Sequence, residues 1–294
     1  MYNIHDLITV RIDKSISSNH INQIEFQIGY FKANHISNVE SDICMLNVLP
    51  IENMPDIFTG EYSEAERREY ISNNDVIYFT NNKFGLEKLD TGYALYLTED
   101  GICPLNIILQ MMLVEQGVSM IHASAFQKDH GGIVVMPAFA EAGKTSLLGV
   151  LSKTDHYKFL GDDVVLLSEQ GECLAYPRSI VLQKYHQKIF SNLFYELNIS
   201  HTRDKIIKST KKFIKENMPF KGLIKSLFPG KINTNLLNYD NHLATVPLED
   251  YVGENNIASK GKIEKIIFLQ RYNGTKIKSS LVEADDMSVR LLSI

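Results

Sequence analysis

VVMPAFAEAGKTSLL (residues 134–148) runs from an apolar stretch, through a loop of small residues, into Gly-Lys-Thr and a helical pattern. A strand that ends in such a loop and restarts as a helix is the layout of a phosphate-binding loop, G-x-x-x-x-G-K-[ST]. The first N–H groups of a helix lack intrahelical partners and the helix dipole favours negative charge, so an anion is held there. On this reading Lys144 meets the β- and γ-phosphates of a nucleotide and the Thr145 hydroxyl meets Mg²⁺. The nucleotide-binding candidates are Ala138, Glu141, Ala142, Gly143, Lys144, Thr145 and Ser146. Ala138 stands where the motif has its first glycine. Glycine serves such loops by tolerating positive φ and letting a phosphate approach. Alanine does no harm there if residue 138 has ordinary φ. The carboxylate of Glu141 has to point away from the phosphates.

Upstream, PLNIILQMMLVEQG (104–117) reads as a helix, with Pro104 near its start and Gly117 just past its end. SMIHASAFQ (119–127) and GIVVM (132–136) read as strands around a KDHGG turn. Downstream, Leu147, Leu148, Val150 and Leu151 give the helix after the loop one buried face. KFLGDDVVLLS (158–168) is a strand, an acidic turn and a strand, followed by a hairpin turn at EQGE (169–172). Phosphoryl transfer needs a carboxylate near Mg²⁺ and, for a hydroxyl acceptor, a group to take the proton. Asp162 and Asp163, adjacent at a strand end, can divide those roles because neighbouring side chains point to opposite sides. Aspartate is also a common turn residue, so the pair owes its functional reading to the loop beside it. His122 lies one strand before the loop, where a histidine is either structural or turned toward phosphate and acceptor. Arg178, in AYPRS, is a candidate phosphate contact or a plain surface arginine.

Residues 1–101 read as a strand-rich region, with strands at IEFQIGYF (24–31), DICMLNVL (42–49), DVIYFT (75–80) and YALYLT (93–98), and a charged stretch at SEAERREY (63–70). Residues 102–294 read as the nucleotide-binding domain. From Gln183 to Lys231 the pattern is helical, with Phe190, Leu193, Phe194 and Leu197 on one face and Ile206, Ile207, Phe213 and Ile214 suggesting a second helix. Residues 184–231 carry 11 Lys/Arg against 3 Asp/Glu, a net of +8, which leaves -13 for the remainder of a chain whose total is -5. This segment is either a solvated helical face or a basic lid over phosphates or an acidic acceptor. KIIFLQRY (265–272) reads as a closing strand.

MIHASAF (120–126), AFAEAGKTSLLGVL (138–151), FLGDDVVLL (159–167) and LAYP (174–177), in that order, resemble the catalytic core of HPr kinase/phosphorylase and its divergent relatives. The resemblance covers roughly residues 100–182. It implies an α/β (α+β) fold whose phosphate-loop core is built on a mixed sheet like that of phosphoenolpyruvate carboxykinase, rather than a doubly wound parallel one. It implies ATP and Mg²⁺, with transfer to a serine-like hydroxyl. It also implies Asp162 as the general base, Asp163 near the metal with Thr145, and His122 facing the acceptor.

The expected function is therefore an ATP-dependent kinase acting on a hydroxyl of a small molecule or peptide. The alternative is a non-catalytic nucleotide-binding regulatory module with a degenerate loop. The acidic total charge and the lack of a recognised nucleic-acid motif argue against nucleic acid. The longest apolar run, ICPLNIILQMMLV (102–114), is too short to span a bilayer. No signal-peptide pattern opens the chain. Three scattered cysteines form no C-x-x-C, so the expectation is a reducing cytoplasm with no disulfide framework. Self-association is compatible with all of this.

Overall fold

A computed structural model describes residues 1–33, 43–56, 70–73, 75–129, 131–139, 142–197, 242–270 and 278–292. Glu141, SEAERREY apart from Tyr70, the helix expected around Ile206–Ile214 and most of the basic segment lie outside these residues.

The N-terminal part builds a mixed seven-stranded sheet from β1 (Tyr2–Ile4), β2 (Ile8–Ile12), β3 (Cys44–Pro50), β4 (Tyr70–Asn73), β5 (Val76–Phe79), β6 (Phe84–Leu89) and β7 (Gly92–Leu97). Their spatial order is β1-β2-β3-β7-β6-β5-β4. β2, β3 and β7 run parallel, while the flanking pairs are antiparallel. Helix α1 (Ser18–Ile28) connects the parallel strands β2 and β3. This corrects the strand expected at IEFQIGYF. Ile24, Phe26 and Ile28 alternate like a strand, but the buried residues of the segment are His20, Ile24 and Ile28, a helical spacing. Ser17 caps the helix start by accepting from the His20 amide at 3.3 Å.

The second half is a mixed half-barrel. Helix α2 (Leu105–Glu115) precedes β8 (Val118–Ile121), β9 (Ala123–Lys128), β10 (Ile133–Pro137), helix α3 (Lys144–Leu151), β11 (Tyr157–Gly161), β12 (Val165–Ser168) and β13 (Glu172–Leu174). A two-stranded ribbon of β14 (Ile180–Gln183) and β15 (His242–Val246) brackets α4 (Ser191–Glu196); α5 (Leu248–Val252), β16 (Lys260–Ile266) and α6 (Ala284–Leu292) follow. The barrel order is β11-β9-β10-β16-β13-β12-β8. SMIHASAFQ, expected as one strand, is broken at His122. Its first half pairs with β12 at one sheet edge, and its second half pairs with β10 and β11 near the other. That single residue thus links the edge strand β8 to β9, one strand in from the opposite edge of the curled sheet. The closing strand begins at Lys260 rather than Lys265, pairing with β13 through Lys260–Lys262 and with β10 through Ile263–Ile266. Mixed strand direction is as expected; a helical start at Gln183 is not, since that residue ends β14 and a 3-10 turn (Lys184–Lys188) precedes α4.

Two apolar clusters hold the assembly. One joins the N-terminal sheet, α1 and α2 to Val118, Leu166, Leu174 and Tyr176 of the half-barrel side. The turn residue His5 adds a 2.6 Å hydrogen bond between its Nε2 and the Ala175 carbonyl. The other cluster fills the half-barrel, where Ala123, Ala125, Ile133, Val135 and Leu148 of α3 pack with Phe190 and Phe194. Gly149 of α3 lies against Phe190, and a Cβ there would fall 2.5 Å from Phe190 Cζ. No described helix is long and apolar enough to cross a membrane.

Candidate functional site

β10 is an apolar strand held on both sides, parallel to β16 and antiparallel to β9. Ala138 continues it. The residue is fully buried, bridges Leu269, and its N–H points to the His122 carbonyl at 3.4 Å. The described non-glycine residues with positive φ are His5, Asp6, Lys83 and Asp129. Ala138 is not among them, so the motif's missing first glycine leaves no backbone strain. The glycine the loop requires is Gly143, at φ 104°, with no neighbouring atom within 4 Å of where a Cβ would stand. It precedes α3 with no side-chain cap, leaving the amides of Lys144, Thr145 and Ser146 for another acceptor.

Lys144 is 6% exposed. Its ammonium donates to the carbonyls of Ala138 (2.8 Å) and Phe139 (3.3 Å) and to Nε2 of His122 (2.8 Å). Burial pulls its pKa below the ordinary lysine value, against the raising pull of Asp163 and Asp162. A ring nitrogen that accepts from an ammonium carries no proton, so neutral His122 holds its hydrogen on Nδ1. That nitrogen lies 3.2 Å from Asp163 Oδ1. Burial lowers the His122 pKa; Asp163 pulls it up, and the charges of Lys144 and Arg178 push it down.

The two aspartates face different surroundings. Asp162 is buried. Thr145 Oγ1 donates to its Oδ2 at 2.7 Å, and Ser124 Oγ bonds its backbone carbonyl and lies 3.3 Å from Oδ1. Burial first, and then the charge of Asp163, pushes its pKa up to about 6, although Thr145, Ser124 and Lys144 favour the anion. Asp163 is half exposed and meets His122 on one oxygen and Arg178 Nη1 on the other, at 3.3 Å. Arg178 is 14% exposed and its guanidinium lies 5.2 Å from the centre of the Phe26 ring. Lys144, His122, Asp163 and Arg178 therefore form one chain of contacts from the loop to α1.

The structure thus gathers His122, Ala138, Gly143, Lys144, Thr145, Asp162, Asp163 and Arg178. Ala142 lies in the loop, its N–H 3.3 Å from the Phe139 carbonyl, and Ser146 lies on the first turn of α3. The Thr145 hydroxyl, expected to share a metal with Asp163, contacts Asp162 instead. Ser124 and Phe26 escaped the sequence reading. Ser124 had a legible signal, a small polar residue two positions after His122; Phe26 had none, because its helix was read as a strand. Among the described residues no group of three or more His, Cys, Asp or Glu side chains is gathered to hold a metal alone. Mg²⁺ asks for less than that from a protein, one or two oxygen ligands beside the substrate phosphates; the Thr145 hydroxyl and the Asp162 carboxylate are the neighbouring oxygens here that could take that place. No known family model matches this chain, and no curated protein does either.

Proposed function

We propose that this chain is an ATP-dependent phosphotransferase whose acceptor is a hydroxyl group of a small molecule or peptide. Its half-barrel is read as a phosphate-loop core of the kind that HPr kinase and phosphoenolpyruvate carboxykinase share. The observation that carries the proposal is the pairing of a buried Lys144 at an uncapped helix start with a Thr145–Asp162 contact of 2.7 Å in the same turn. The Lys144 ammonium donates to two carbonyls and a neutral ring, and desolvation penalises its charge even with Asp162 and Asp163 nearby. A phosphate chain adds a counter-charge in direct contact.

On this reading the free amides of α3 and the Lys144 ammonium hold the β- and γ-phosphates. Thr145 and Asp162 hold Mg²⁺, which neutralises charge on the transferred phosphoryl group. The raised Asp162 pKa fits that role, for it marks a buried carboxylate short of a cation. Asp163, more exposed and oriented by His122 and Arg178, takes the proton of the acceptor hydroxyl. The two aspartates then act in the reverse of the roles that the resemblance implies. His122 keeps Lys144 and Asp163 in register, and its neutral state leaves the Lys144 charge for the phosphates.

Calorimetric titration with Mg-ATP tests this. The parent protein binds and Lys144→Ala loses at least tenfold in affinity; equal affinity removes the loop assignment. Binding with no acceptor-dependent ADP formation would instead favour the regulatory-module reading.

A further inference from the structure

His122 belongs to a second feature. A cleft of about 350 Å³ has His122 in its wall, together with Asn106, Ile107 and Gln110 of α2, Met120 and Ile121 of β8, Val164, and Leu291 of α6; the Gln110 side-chain carbonyl already accepts from the Met120 amide. That volume suits a small ligand. The walls are mostly apolar, and Ile107 is 72% exposed while Leu105, Ile108, Leu109, Met112 and Leu113 of the same helix are buried. Ile107 is therefore a large apolar side chain on the cleft wall that the core of α2 does not use; Val114, further along the helix, is also exposed but does not line the cleft. Asn106 Oδ1 is buried without a hydrogen-bond partner. An orphaned acceptor of this kind costs stability unless a donor arrives.

We infer that this cleft seats the phosphoryl acceptor: a hydroxyl compound with an aliphatic or aromatic body and an N–H or O–H donor close to the reacting hydroxyl. The inference rests on the phosphotransferase reading. Three observations carry it. His122, in the cleft wall, touches both Lys144 and Asp163 and so places the cleft beside the site. Its lining is mostly apolar and carries no Lys or Arg, so it seats a body rather than a second phosphate. Asn106, a wall residue with an unpartnered Oδ1, is the group that a donor would satisfy once its side chain turns toward the cleft. In the transfer the acceptor oxygen forms a bond to the γ-phosphorus, the bond to the β,γ-bridging oxygen breaks, ADP leaves, and the hydroxyl proton passes to Asp163. An apolar body filling the cleft also keeps water from competing as acceptor.

The test uses the full chain with Mg-ATP and a series of N-acylethanolamines, from acetyl to hexanoyl, plus the N-methyl form of the hexanoyl compound. Phosphorylated product is measured by mass spectrometry and ADP by a coupled assay. Expected is a rise in kcat/KM of about fourfold per added methylene until the cleft is full. N-methylation, which removes the donor for Asn106, should lower kcat/KM about tenfold. Ile107→Asp should flatten the chain-length dependence; its exposed place in the first turn of α2 suits an acidic residue, so folding is retained. Leu291→Ala should reduce the dependence, and Asn106→Leu should erase the discrimination against the N-methyl form. A chain-length dependence unchanged in Ile107→Asp and Leu291→Ala overturns the cleft assignment. So does Mg-ATP turnover indifferent to every probe. Failure to bind Mg-ATP at all, measured separately by calorimetry, overturns the phosphotransferase reading and the acceptor role with it.

Discussion

Asp162→Asn is expected to make the nucleotide-free protein more stable at neutral pH while removing its use of Mg²⁺. The Asp162 carboxyl is held at about 6 against an ordinary 3.8. At about 1.4 kcal/mol per decade, keeping it ionised in the folded state costs about 3 kcal/mol. The folded protein binds this proton more tightly than the unfolded chain does. The stabilising contribution is therefore full below about pH 4, is lost as pH rises through about 6, and stays lost above that. Asparagine has the same shape and no such titration. One of the two donors, Thr145 or Ser124, then faces the amide NH₂ instead of an acceptor, at about 1 kcal/mol. The net gain at pH 8 is about 2 kcal/mol. About 2 kcal/mol of the difference between variant and parent should develop between pH 4.5 and pH 8. Urea unfolding of both proteins at the two pH values measures it. A variant less stable than the parent at pH 8, or a difference independent of pH, would refute the desolvation argument. In the same experiment Mg-ADP should stabilise the parent and leave the variant nearly unchanged, because the carboxylate that offsets the cation is gone.

Gly143→Ala places a Cβ in open space but at φ 104°, so unfolding should show a loss of about 1–2 kcal/mol and nucleotide titration a weaker complex. Ala138→Gly should leave Mg-ATP affinity and turnover within about tenfold, since residue 138 already has ordinary φ; a large gain would mean that the methyl obstructs the phosphates. Gly149→Ala drives a methyl into Phe190 and should lose about 1–3 kcal/mol in urea unfolding, part of it restored by Phe190→Leu in the same chain. His122 titrates below its ordinary 6.5, so turnover should rise with pH through the window beneath that value as the ring loses its proton and can accept from Lys144. An NMR titration placing His122 at or above 6.5 would contradict the neutral, partly buried ring.

Features close in sequence were legible from residue order. The strand-loop-helix passage, the free helix start at Gly143-Lys144-Thr145, the helix at α2 and the unequal environments of Asp162 and Asp163 follow from apolar periodicity, from the amides a helix start leaves unpaired, and from the alternation of side chains along an extended chain. Periodicity misled where Ile24, Phe26 and Ile28 satisfied two periods at once, and there the tertiary core chose the helix that buries His20, Ile24 and Ile28 together; it also missed that Gln183 ends a strand. Strand pattern tells which face a side chain takes but not which strand lies beside it. The break at His122, which lets one chain segment serve both ends of a curled sheet, was therefore a decision of the tertiary structure, and it is what sets that ring between Lys144 and Asp163. The choice of Asp162 rather than Asp163 as the Thr145 partner, the recruitment of Ser124 from β9, and the seating of Arg178 on Phe26 of α1 have the same origin. Each joins residues far apart along the chain, and only strand register and the packing of α1 against the half-barrel bring them within a few ångströms.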